Sequence, residues 1–143
     1  MRHTLTTSPY YPTWVASAPA LFAEVERAVL ARDLETLGVA VEQSALMMHA
    51  SMLAARPALV YFSPATLRAM ERVRALRREG TLAFYTMDAG PHVKVLCQES
   101  AAPDVAAALA LVEGVERVIV SAAGPAAYVE DMAGPAGYVE GTA

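Results

Sequence analysis

Cysteine is nearly missing from this chain. Its 143 residues hold one, Cys97, so no internal disulfide framework can form, and that usage suits a reducing compartment. Charge is sparse and slightly acidic, −4 at neutral pH, which argues against nonspecific binding to nucleic acid. The Ala- and Met-rich run QSALMMHASMLAA is too short and too interrupted to span a bilayer, so no membrane partner is expected. The opening MRHTLTTSPYY lacks the apolar core of a secretory signal. Neither GxxxxGK[ST] nor GxGxxG occurs, so no nucleotide cradle is expected. His3, His49 and His92 do not fall at a metal-ligand spacing and Cys97 stands apart, so no metal site is expected either. What remains is a cytoplasmic chain of one-domain size, long enough to bury a core.

Hydrophobic periodicity then orders the elements. RHTLTT alternates and is rich in β-branched residues, which predicts a first strand over residues 2–7. SPYYP breaks it, and a helix is expected over residues 16–32, with Leu21, Val25, Ala28 and Val29 along one side. Asp33 is placed to cap a second helix, in which Leu34, Leu37, Val41, Ala45, Met48 and Met52 recur at helical spacing. Ser63, Pro64 and Gly80 punctuate a third. The strands LAFYTMD and HVKVLC, a short apolar helix and a last strand ERVIVSA complete the order β-α-α-α-β-β-α-β. That order implies an α+β domain over residues 1–121, with a small antiparallel four-stranded sheet and helices packed on one face. From residue 122 to 143 Gly, Pro and Ala dominate and AGPAAYVE is nearly repeated as AGPAGYVE, which reads as a flexible tail.

Asp88 is the acid in an unusual place. It closes one strand-like run, and Ala89-Gly90-Pro91 leads at once into the next. A carboxylate at a strand end beside small residues is what a general base or substrate anchor needs. An aspartate bonding to its own turn backbone is the commoner arrangement, and local pattern leaves both open. His49, among methionines, is read as a buried or half-buried histidine bonded to a carbonyl. Arg68, Arg72, Arg74, Arg77 and Arg78 are interleaved with Glu71 and Glu79 and read as a solvated helix face, Arg77 and Arg78 complementing the helix C-terminus.

Four segments in order, TSPYYPTW, EQSALMMHA, ARPALVYF and YTMDAGPHVKVLC, resemble the C-terminal half of mevalonate diphosphate decarboxylase, a family of the GHMP kinase superfamily. TMDAGP is the most specific of these matches, and the resemblance covers roughly residues 1–121. It implies a GHMP-kinase C-terminal-type domain. It also implies an activity in which ATP and magnesium phosphorylate the tertiary hydroxyl of mevalonate diphosphate, phosphate and carbon dioxide leave, and isopentenyl diphosphate forms. Asp88 corresponds to the residue the family sets against that hydroxyl, as general base or as an orienting charge. The N–H groups of Ala89 and Gly90 are candidate substrate contacts. His92 stands where the family usually carries asparagine.

The family's ATP loop, its diphosphate-binding tyrosine and lysine and its catalytic arginine belong to an N-terminal half that this sequence does not contain. The resemblance therefore implies a domain inactive alone, needing that half in cis or in trans, with ATP and magnesium held mainly by it. A phosphorylated mevalonate substrate and a homo-oligomer are expected partners. Two alternatives stay open: the corresponding domain of a phosphomevalonate decarboxylase, and a non-catalytic interaction module that kept the fold.

Overall fold

The computed structural model describes residues 2–124. Five helices and one hairpin of strands follow in the order α1 (Arg2–Thr7), α2 (Tyr11–Ala31), α3 (Leu34–Leu53), α4 (Pro64–Arg78), β1 (Ala83–Thr86), β2 (Lys94–Cys97) and α5 (Ala102–Ala110), with a short 3₁₀ turn at Glu99–Ala101. The mixed α+β class holds, but the described sheet has two antiparallel strands, not four. The proposed tail lies, from residue 125 onward, outside the described residues.

Helix starts obey local chemistry. Asp33 accepts the Thr36 N–H at 3.0 Å and caps α3. Ser63 and Thr66 form a reciprocal capping box at α4, with Pro64 in its first turn. Gly80, at φ 97°, supplies the left-handed residue that ends α4. The second helix begins earlier than its expected start at residue 16. Pro12 sits in its first turn, where a missing N–H costs nothing, so the SPYYP segment leads into helix rather than only breaking the chain.

The core is built on β1 and α4. Val73, Met70, Leu76, Tyr85, Val105 and Leu109 form one buried cluster joining α4, β1 and α5. Phe84 and Tyr85 are successive and so face opposite sides of the strand, yet each is only 1% exposed. Tyr85 belongs to the α4–α5 cluster, while Phe84 lies against Gly38 of α3. A β-carbon on Gly38 would fall inside the Phe84 ring, which explains a glycine in mid-helix. Helices thus cover both faces of β1, correcting the expectation of one face.

Side chains close the free edge of β1. Ala83 and Tyr85 turn their polar groups away from β2, and side chains meet them. Arg77 donates to the Ala83 carbonyl at 2.9 Å, and Glu42 accepts the Tyr85 N–H at 3.1 Å. Arg77 and Glu42 also pair with each other at 2.8 Å, and the Arg77 guanidinium lies 4.6 Å over the Phe84 ring. With these side chains in the place of a third strand, that edge is closed to β-pairing.

The first expected strand is instead a helix. RHTLTT satisfies its backbone locally, and the Thr6 and Thr7 hydroxyls donate back to the His3 carbonyl. ERVIVSA pairs with neither β-strand; Val118 packs against the core while Ile119 and Val120 stay exposed.

Candidate active site

Both strands of the hairpin are shorter than their apolar runs suggest. Pairing stops at Thr86 and Lys94, so Met87 to Val93 form a loop, and Asp88 lies beyond the strand end rather than on it. Asp88 and Ala89 are exposed, whereas Met87 is only 2% exposed.

This loop is clamped at three points. At its start, the Met87 carbonyl is 3.3 Å from Nε2 of His49, which must donate because a carbonyl can only accept. In the middle, Gly90 has φ 69°, and a β-carbon there would come within 3.1 Å of the Tyr61 carbonyl oxygen and 3.2 Å of the Met87 sulfur. Only glycine suits both the left-handed backbone and that close approach. At the end, the Thr66 hydroxyl donates to the Pro91 carbonyl at 3.2 Å while accepting the Ser63 N–H. The same side chain therefore caps α4 and ties down the loop.

Between the clamps, the Asp88 side chain is 80% exposed. Its one partner among the described residues is the ammonium of Lys94, at the start of β2. No bond from its own turn backbone reaches the carboxylate among the described residues, so the local turn arrangement is not the one adopted. The N–H groups of Ala89 and Gly90 likewise have no partner there. Asp88, Ala89 and Gly90 thus come together as a polar, open corner on a fixed base.

The other candidates separate from it. His49 is buried and bonded to a carbonyl, as its setting among methionines suggests. His3 bonds the Pro57 carbonyl at 3.0 Å, and His92 is exposed. Among the described residues, no three His, Cys, Asp or Glu side chains gather as a metal site. No helix among them is long and apolar enough to cross a membrane. Burial pushes the Cys97 thiol above its usual pKa, which keeps it protonated and a poor nucleophile near neutrality.

The α4 arginines are largely the solvated face their sequence suggests, with Arg74 exposed even as it donates to the Tyr85 hydroxyl at 2.7 Å. Arg77 departs from it, since it braces the β1 edge from a partly buried position. Glu42 opens the EQSALMMHA segment, which by itself gives it no role. Its signal is the spacing of Gly38, Glu42, Ala45, His49 and Met52, a second stripe on α3. Three of its residues meet β1 or its extension: Gly38 at Phe84, Glu42 at Tyr85 and His49 at Met87.

Comparison with known proteins gives the family and the fold. Residues 1–129 match the family model of the mevalonate 5-diphosphate decarboxylase C-terminal domain. The decarboxylase from Enterococcus faecalis is similar at 35% identity and a TM-score of 0.73, over 76% of this chain and 34% of that one. That from Streptococcus pyogenes gives 34% and 0.72, over 76% of this chain and 34% of that one. A further structure, MDDEF in complex with MVAPP, AMPPCP and magnesium, gives 35% and 0.73, over 76% and 33% respectively. The chain spans about a third of the length of these solved chains. No curated protein sequence gives a significant match. By the family match and the shared fold, the chain belongs to the family of mevalonate diphosphate decarboxylase C-terminal domains.

Proposed function

We propose that this chain is the C-terminal part of an ATP-dependent mevalonate diphosphate decarboxylase and contributes Asp88 to the reaction. The observation that carries the reading is the contrast at the loop: a clamped backbone presents a carboxylate that its own turn does not use. A group so held can accept a hydrogen bond from a substrate hydroxyl and take its proton, or orient that hydroxyl as a fixed negative charge. The unpartnered N–H groups of Ala89 and Gly90 are suited to a substrate oxygen on the same side of the loop. Residues 1–121 would form the working domain and 122–143 an appended tail, in a cytoplasmic enzyme.

Nucleotide and metal are a poor fit to the described residues. A magnesium ion wants six oxygen ligands, and this loop offers one carboxylate beside an ammonium. ATP and Mg²⁺, which accompany MVAPP as AMPPCP and magnesium in a similar structure, are therefore assigned to an N-terminal half supplied in cis or in trans. Surface supports a missing neighbour. Helix α2 buries only Ala28, while Val15, Phe22, Val29 and Leu30 are exposed, which suits a face covered by another domain or by a second copy in a homo-oligomer.

Two measurements test the reading together. The purified 143-residue chain should turn over no ATP alone, and should gain mevalonate diphosphate decarboxylation when the N-terminal half of a family enzyme is added or fused. In the completed enzyme Asp88→Asn should abolish most turnover while ATP binding persists. Unimpaired turnover in that variant would remove Asp88 from the chemistry.

A further inference from the structure

The polar groups on the outer edge of β1 form a ladder of alternating type: the Ala83 carbonyl, the Tyr85 N–H and, two residues later, the Met87 carbonyl. Each is met by a side chain, from Arg77, Glu42 and His49 in turn. The first two rungs lie on the strand. The third lies beyond it, where pairing with β2 has already stopped, and it bonds the residue immediately before Asp88. His49 is 3% exposed, with its ring centroid 4.8 Å from that of Phe62 and 6.3 Å from that of Tyr61. Its rotamer is therefore packed in place by the segment whose backbone also supports Gly90.

We propose that His49 is a positioning residue: its Nε2–H fixes the Met87 carbonyl and thereby the direction in which Asp88 leaves the strand. The proposal rests on the reading of Asp88 as the reacting carboxylate. A purely apolar side chain would fill the space between Phe62 and Tyr61 as well as imidazole does. Only a donor extends the edge ladder by one residue past the sheet. Without that rung, the backbone between the last pairing at Thr86 and the clamps at Gly90 and Pro91 would have no hydrogen bond of its own, and the carboxylate could swing with the loop. Displacement of a reacting group by about 1 Å can cost on the order of 100-fold in rate, so a rung one residue away is close enough to matter.

The test begins with the intact chain, by NMR. Nitrogen-15 shifts of the wild-type His49 ring should show a proton on Nε2; a bare Nε2 overturns the proposal without any variant. His49→Phe keeps a ring against Phe62 and Tyr61 but cannot donate. Backbone order parameters at Asp88 and Ala89 should fall from the rigid range, about 0.85, to below about 0.6, while β1 and α4 keep wild-type values. His49→Gln, whose amide nitrogen lies the same number of bonds from the backbone as Nε2, should restore most of that order. A folded His49→Phe chain with an unchanged loop, or a folded His49→Gln chain as loose as His49→Phe, means that His49 only fills space. If His49→Phe does not fold, the wild-type tautomer and the glutamine variant decide.

Catalysis separates this proposal from the reading beneath it. In the enzyme completed by an N-terminal half, His49→Phe should lower kcat roughly 10- to 100-fold with the KM for ATP unchanged, and His49→Gln should recover it. A silent Asp88→Asn beside a loosened His49→Phe loop would end the catalytic reading and the positioning role with it, leaving only a structural rung. An impaired Asp88→Asn beside an unaffected His49→Phe would overturn the positioning role alone.

Discussion

The two ends of the β1 segment use their charges in opposite ways. At the strand, Glu42 and Arg77 are mostly buried, pair with each other and bond the backbone on both sides of Phe84. At the loop, Asp88 and Lys94 are mostly exposed and pair only with each other among the described residues. The first pair is part of the fold, because its bonds to the backbone stand where a neighbouring strand's would have been. The second pair is loosely held by water-facing side chains on a tightly held backbone. Carboxylates separate into structural and available ones by what else they bond, and burial alone would have ranked Glu42 above Asp88 as a site.

The sharpest way to break that contrast is to exchange the consequences. Asp88→Asn should lower turnover of the completed enzyme by several orders of magnitude and leave the thermal midpoint of the chain nearly unchanged, since its removal exposes no buried partner. Glu42→Ala should do the reverse at the level of stability. It strands the Tyr85 N–H and the Arg77 guanidinium, and a loss of about 2–3 kcal/mol is expected from charge-assisted hydrogen bonds in a partly buried setting. Denaturant titration of both variants checks this. If Asp88→Asn costs as much stability as Glu42→Ala, the two carboxylates are not of different kinds.

Gly38→Ala probes the packing beneath the brace. The added methyl would meet the Phe84 ring, and relief requires α3 to move away from β1. Overpacking of this kind costs about 1–3 kcal/mol, despite the better helix propensity of alanine. Because α3 also carries Glu42 and His49, the same displacement should loosen the edge ladder. Loss of the Tyr85 amide's protection from hydrogen exchange would show it.

The proposed site rests on a short local motif in the sequence, whereas the sheet does not. Asp88, Ala89 and Gly90 stand together in one short motif, and Asp33, Ser63, Pro64 and Gly80 mark helix ends through their own side-chain or backbone chemistry. Those signals are local. Strand pairing is not, and residues 2–7 and 116–122 have strand-like composition with no strand beside them in the described structure. One edge is closed from far along the chain, where Arg77 and Glu42 occupy the outer side of β1. Neither could be assigned that place by periodicity, because each looks like an ordinary charge on a helix. His49 lay between these cases, since its burial could be anticipated and its acceptor, Met87, could not.

Lys94 tests how loosely the available pair is held. Both side chains are largely exposed, so Lys94→Met should change stability by no more than about 1 kcal/mol. In the completed enzyme, its effect on turnover should be much smaller than that of Asp88→Asn, because it orients the carboxylate without being the carboxylate. Added salt should weaken whatever contribution it makes. A Lys94→Met variant as inactive as Asp88→Asn would make the pair, rather than the aspartate, the functional unit.

Asp33 supplies the smallest effect and completes the contrast, since it too is an exposed aspartate, but one that its own chain uses. The Thr36 hydroxyl and then the Thr36 N–H bond its carboxylate, which holds its pKa below the ordinary aspartate value. A depressed folded pKa means that the unfolded chain binds the proton first. The cap's contribution is thus complete above the unfolded pKa, about 3.9, and is lost as pH falls through the lower folded value. Asp33→Asn keeps an oxygen acceptor for Thr36 but cannot titrate. Its stability deficit relative to wild type should be greatest above about pH 5 and should shrink as acid protonates the wild-type cap, as thermal midpoints measured across that range will show.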